Sequence, residues 1–242
     1  MVHWPEVMFT YETTEKVLFS ADAFGKFGAL DVDEEWACEA RRYYFNIVGK
    51  YGATVQSVLK KAAALDIKII CPLHGPVLNE NLEYYIGKYN IWSSYQPEDK
   101  GVLIAYASIY GNTAKAAEQL AELLREKGEK VAVADLARCD MAEAIEDAFR
   151  YDRLVTASVT YDGGLFPAME SFLSHLKAKN YQNRTVAFIE NGSWAPMSGK
   201  LMRGFFDGMK NITVIDKLVT VKSAVKDDTK EELKQLAAKL VK

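Results

Sequence analysis

Histidine and cysteine are scarce in this chain, with three of each among 242 residues. The cysteines, Cys38, Cys71 and Cys139, stand far apart and form no C-x-x-C pair. That spacing excludes a fused four-thiolate iron site and a disulfide framework, and leaves free thiols in a reducing compartment as the expectation. No G-x-x-x-x-G-K-[ST] string occurs, so there is no nucleoside-triphosphate loop. Without G-x-G-x-x-G, a dinucleotide fold lacks its fingerprint. Basic residues are not in excess: 30 Lys and Arg stand against 33 Asp and Glu, a formal net charge of -3, which argues against nucleic acid as a partner. No apolar run approaches the ~20 residues of a membrane span, and no secretory leader is recognisable. The expectation is a soluble, cytoplasmic protein with neither a nucleic-acid nor a membrane partner.

What is present is a regular alternation. Residues 93–100, polar and bearing Pro97, mark a boundary, giving candidate domains 1–97 and 98–242. Beyond it, apolar runs at 102–107, 131–136, 154–159, 186–189 and 212–221 read as strands, separated by helical patterns at 113–127, 141–149, 167–178 and 198–209. A last amphipathic helix spans about 229–240. Near-continuous apolar strands with helical crossovers predict an α/β fold, a doubly wound five-stranded parallel sheet with helices on both faces. The first 97 residues differ. Strands at 7–11, 17–20 and 67–70 accompany helices at 34–48, 54–64 and 82–92, too little sheet to cover its own apolar face.

Three loops at successive strand ends carry the chemistry. Ser108-Ile109-Tyr110-Gly111-Asn112-Thr113 precedes a helix and offers hydroxyls and backbone N–H groups without a formal charge. A helix start of this kind binds a phosphate through free N–H groups and the helix dipole. Thr160-Tyr161-Asp162-Gly163-Gly164 and Asn191-Gly192-Ser193-Trp194 follow the next suitable strands. Their glycines permit close backbone approach, and Tyr161 and Trp194 offer stacking faces. A flat cofactor with one phosphate, FMN, fits all three loops together.

These loops resemble those of the flavodoxin family, and more narrowly the flavodoxin domain of the flavodiiron proteins (A-type flavoproteins). The run Ser158-Val159-Thr160-Tyr161-Asp162-Gly163-Gly164-Leu165-Phe166-Pro167 is similar to the family pattern, with Val159 where proline is common and Asp162 where asparagine is common. At the front, His3-Trp4-Pro5-Glu6, Ser20-Ala21-Asp22-Ala23-Phe24-Gly25 and Pro72-Leu73-His74-Gly75-Pro76 are similar to segments of that family's metallo-β-lactamase-like αββα domain. The resemblance covers essentially the whole chain. It implies that residues 1–97 are the C-terminal part of the lactamase-like domain and that His3, Asp22 and His74 are ligands of a di-iron centre, Asp22 bridging. The family's His-x-Glu-x-Asp-His motif is absent, so the resemblance implies an incomplete metal site in this sequence.

The resemblance further implies FMN-dependent electron transfer within an oxidoreductase that reduces dioxygen to water, nitric oxide to nitrous oxide, or both. Rubredoxin or a similar small protein would be the electron donor, and the expected assembly is a head-to-tail homodimer. The competing reading is a flavodoxin-like FMN electron carrier with a vestigial lactamase-like segment and no catalytic residues of its own. A zinc hydrolase has no use for a fused flavin domain, and nothing outside the flavin loops suggests a nicotinamide site.

Overall fold

The computed structural model describes residues 2–241. They divide into two compact units between Gln96 and Pro97.

In the first unit, strands β1 (Thr10–Glu12) and β2 (Val17–Phe19) form an antiparallel pair. Helices α1 (Trp36–Ile47) and α2 (Gly52–Ala62) follow, then β3 (Ile69–Cys71), which pairs parallel to β2, and α3 (Leu82–Ser93). The strand expected at 7–11 begins only at Thr10, and Val7, Met8 and Phe9 before it are exposed. Tyr44, Phe45, Tyr89 and Trp92 form a buried aromatic core between the helices. Beside it lies a concavity of about 820 Å³, whose lining includes Met8, Leu18, Val55, Val58 and Tyr43.

The second unit is the parallel sheet. Strand β4 (Asp99–Ala107) is buried from Gly101 to Ala107, which is why its sequence is continuous rather than alternating. It leads into α4 (Asn112–Glu126), where Ala116, Ala117, Leu120, Ala121 and Leu124 make one buried stripe. The helix stops at Gly128, φ +83°, in a Schellman motif: the Gly128 N–H bonds Arg125 O at 2.9 Å and the Glu129 N–H bonds Leu124 O at 3.1 Å. Strand β5 (Val131–Asp135) and helix α5 (Met141–Arg150) come next. Asp140 caps α5 by accepting the Ala142 N–H at 2.8 Å.

Strand β6 (Tyr151–Tyr161) turns back through a two-residue strand β7 (Gly164–Leu165) into α6 (Pro167–Ala178). Then come β8 (Arg184–Asn191), α7 (Ser198–Phe206), β9 (Ile212–Val221) and α8 (Asp227–Leu240). The five long strands pair in parallel in the order β5-β4-β6-β8-β9. Helices α4 and α8 pack on one face and α5, α6 and α7 on the other. The expected α/β doubly wound architecture is present, with β7 as an unexpected sixth strand antiparallel to β6. Helix α7 is three residues shorter than expected, because the chain turns extended at Asp207 and left-handed at Gly208. Buried Arg153 anchors the end of α8, donating to Leu240 O at 2.5 Å and to Glu129 Oε2 at 2.6 Å.

Strand order reverses on either side of β4, so the crevice beyond the C-terminal ends of β4 and β6 is where such sheets take ligands. The three candidate loops leave β4, β6 and β8, which are neighbours in the sheet.

Candidate functional site

At the end of β4, Gly111 caps α4 with φ +83°, a left-handed conformation that suits glycine. No side chain caps this helix start, and a Cβ on Gly111 would meet nothing within 4 Å. Among the described residues the N–H groups of Asn112, Thr113 and Ala114 have no acceptor, and they lie at the positive end of the helix dipole.

The two hydroxyls of the loop are oriented by what they accept. Ser108 Oγ takes the Gly111 N–H at 3.1 Å, and Thr113 Oγ1 takes Nδ2–H of Asn191 at 3.2 Å. Among the described residues neither hydroxyl hydrogen has an acceptor. Two neutral O–H groups and the N–H groups of one helix start thus form a donor set for an anion, with no cation among residues 108–113.

The second loop is a two-residue hairpin between β6 and β7, in which Tyr161 pairs with Gly164. Both central residues have positive φ, Asp162 at +48° and Gly163 at +70°, the type I′ signature of an Asp-Gly turn. The left-handed positions are thus Asp162 and Gly163, whereas Gly164 lies in the strand and does not use glycine's freedom. Tyr161 is half-exposed and meets Phe166 edge to face, with centroids 5.7 Å apart.

The third loop is tied to the other two. Thr160 Oγ1 accepts the N–H groups of Met197 at 2.9 Å and Ser198 at 3.1 Å, and Ser198 Oγ donates to Ser158 O at 2.8 Å. Both lone pairs of the Thr160 hydroxyl are thereby engaged in holding the start of α7. Gly192 is required by its own loop, since a Cβ there would lie 2.8 Å from Cα of Pro196. Asn191 is buried with its amide committed to protein partners. Ser193 and Trp194 project outward, and Trp194 is 93% exposed, as Tyr110 on the first loop is 91% exposed. Two large aromatics so fully in water at one rim of a sheet offer stacking surfaces for a flat ring. Ile109 is partly exposed beside Tyr110, and Asn112 opens α4.

In the first unit, His3, Asp22 and His74 come together. Nε2 of His3 lies 3.0 Å from Asp22 Oδ2, and Nε2 of His74 lies 3.5 Å from Asp22 Oδ1. Phe27 stacks on the His74 ring at 4.7 Å, Lys26 O lies 3.1 Å from its Nδ1, and a Cβ on Gly25 would strike it at 2.6 Å. Tyr43 packs edge-on to both imidazoles. Burial and the nearby Asp22 charge push its phenol pKa up to about 12. Each carboxylate oxygen thus faces one imidazole nitrogen at a separation two neighbouring ligands of one ion would have. That supplies one nitrogen and one oxygen per position, where a stable site needs three or four protein donors. Among the described residues no group of three or more His, Cys, Asp or Glu side chains is placed to hold a metal ion. The donors do not fit a di-iron centre by themselves.

Two partners have no signal of their own in the sequence. Ser223 and Ser198 orient site residues without belonging to a loop motif, and they look like ordinary polar positions. The Asp162-Gly163 dipeptide between apolar flanks, by contrast, is a readable hairpin signal.

Comparison with known proteins adds the following. A flavodoxin domain family matches residues 103–215. An uncharacterized protein of Methanocaldococcus jannaschii is 28% identical, covering 94% of this chain and 59% of its own length. The anaerobic nitric oxide reductase flavorubredoxin of Aeromonas hydrophila is also 28% identical, covering 80% of this chain and 41% of its own. Among solved structures, rubredoxin oxygen:oxidoreductase from Desulfovibrio gigas superposes with a TM-score of 0.88 at 26% identity, over 99% of this chain and 62% of that one. The flavodiiron protein of Giardia intestinalis does so with a TM-score of 0.90 at 22% identity, over 99% and 61%, a likeness of fold. This chain spans about three-fifths of the length of these two structures. The match includes the first unit, whose fold is that of part of their lactamase-like domain. Among the described residues no helix is long and apolar enough to cross a membrane.

Proposed function

We propose that the second unit of this chain, which is similar to flavodiiron proteins, binds FMN at the rim formed by the loops after β4, β6 and β8, and transfers electrons there. The observation that carries the reading is the pair of hydroxyls, Ser108 and Thr113, each already accepting a hydrogen bond and each left with a hydrogen to donate at an uncapped helix start. When bound, FMN supplies redox chemistry in one- or two-electron steps. The chain's own part is to bind and orient. Backbone N–H groups of α4 and the two hydroxyls hold the phosphate, and Tyr110, Tyr161 and Trp194 cover the ring. The Asp162-Gly163 turn presents a carboxylate and backbone groups at its edge.

Within the family frame, the electrons serve an oxidoreductase that reduces dioxygen, nitric oxide or both, with rubredoxin or a similar small protein as donor. Names of relatives support this, among them rubredoxin-oxygen oxidoreductase and nitric oxide reductase flavorubredoxin. His3, Asp22 and His74 would hold metal only with donors from elsewhere. A head-to-tail homodimer is proposed on the same basis, and sedimentation of the flavin-loaded protein tests it. The second reading, a carrier without gas-reducing activity, is favoured by the two-donor geometry around Asp22.

Titration of the flavin-free chain with FMN tests the main reading. Quenching of flavin fluorescence and a rise in melting temperature are expected, and a colourless protein whose melting is unmoved by FMN overturns it. Iron content divides the two readings. About two irons per flavin eliminates the carrier, and full flavin with substoichiometric iron favours it.

A further inference from the structure

Asn191 sits at the end of β8, 78 residues from Thr113 in sequence and in contact with it in space. Its amide orientation follows from its other partners. Oδ1 accepts the Ser223 N–H at 3.2 Å, and that N–H can only donate. Nδ2 donates to Ser223 O at 3.3 Å, and a carbonyl can only accept. The side chain is therefore clamped at both ends against one backbone residue, itself held at φ +70°. With Asn191 fixed, the group facing Thr113 must be an N–H. The oxygen of Thr113, a buried residue, must accept it, and its hydroxyl hydrogen must point elsewhere.

We propose that Asn191 is a positioning residue of the phosphate cradle. By occupying one of the two lone pairs of Thr113 from behind, it turns the hydroxyl hydrogen away from itself and leaves it to donate toward an incoming phosphate. This deepens the FMN reading and rests on it. Asn191 acts through Thr113, and the Ser223 backbone acts through Asn191, so the loop after β9 is coupled to the cradle without touching it. An aspartate in the same place would keep the Ser223 N–H bond and reverse the polarity toward Thr113. The hydroxyl would then donate inward to the carboxylate and be lost to the phosphate.

The test compares FMN with riboflavin, which has the same ring and no phosphate, by fluorescence quenching in four proteins: wild type, Thr113→Val, Asn191→Asp and the double variant. In the wild-type background Thr113→Val is expected to weaken FMN about tenfold while riboflavin changes less than about twofold. In the Asn191→Asp background the same Thr113→Val step is expected to weaken FMN less than about twofold. Any repulsion between the new carboxylate and phosphate is common to both proteins of that second comparison and cancels. An equal Thr113→Val loss in both backgrounds overturns the proposal, as does an Asn191→Asp variant that loses riboflavin as severely as FMN. If Asn191→Asp does not fold, Asn191→Ala replaces it, with non-additive losses expected and additive losses overturning the idea. A wild-type chain that takes up neither flavin brings down the cofactor reading as well, which separates the two failures.

Discussion

The backbone N–H of Ser198 lies 3.1 Å from Oγ1 of Thr160, binding the start of α7 to the end of β6. With the Asn191–Thr113 contact, this makes three loops from three strands into one piece. Changes in one loop should therefore be felt in the others, and the flavin should report on all of them.

Gly111→Leu should lower FMN affinity by more than tenfold. The left-handed backbone at φ +83° costs a branched residue about 1–2 kcal/mol, and the side chain occupies the space through which a phosphate approaches the helix start. Isothermal titration with FMN checks this, and an unchanged dissociation constant places the cradle elsewhere.

Trp194→Ala should weaken FMN and riboflavin alike, each by ~1–3 kcal/mol, because the lost contact is with the ring and not the phosphate. The apo protein should melt within about 1–2 °C of wild type, since a side chain 93% exposed contributes little to folding. A variant that loses only FMN, and not riboflavin, contradicts the stacking role.

Asp162→Asn should raise the flavin midpoint potential. A carboxylate at the turn disfavours added negative charge on the reduced ring, and asparagine adopts φ +48° at least as readily, so the loop shape is kept. Potentiometric titration at low and high salt measures it, with a smaller difference expected at high salt. Identical potentials in both proteins remove Asp162 from the ring's surroundings.

Acid should destabilise the second unit partly through Asp99. Burial works against its ionised form, but hydrogen bonds from Lys130 and Arg150, both at 2.8 Å, outweigh this and hold its pKa below the ordinary carboxylate value. A depressed folded-state pKa adds stability that is present above the unfolded value, near 4, and is lost as pH falls through the folded one. Melting temperature followed from pH 6 down to pH 2 should fall less steeply for Asp99→Asn than for wild type. Parallel curves contradict the assignment.

The sheet was legible because its central strands are buried on both faces and therefore spell themselves out as unbroken apolar runs, as in Val102–Ala107. The rim loops were legible for a related reason: a short polar, glycine-bearing string between such a run and a helix has few structural uses. What escaped was the division of labour inside the rim. Thr160 and Asn191 look like Ser108 and Thr113 in sequence, yet the first two spend their polar atoms on neighbouring loops and the last two each keep a hydroxyl hydrogen to donate. That difference depends on which N–H groups, backbone or side-chain, arrive from 32 to 78 residues away, information no local pattern holds. In the first unit, Gly25 and Phe27 bracket His74 through contacts nearly 50 residues long, equally invisible along the chain.

A cradle assembled from dipoles has almost no reach beyond contact. Residues 108–113 carry no formal charge that would draw a dianion from a distance. Added salt should therefore change the loop's own contribution to nucleotide binding little.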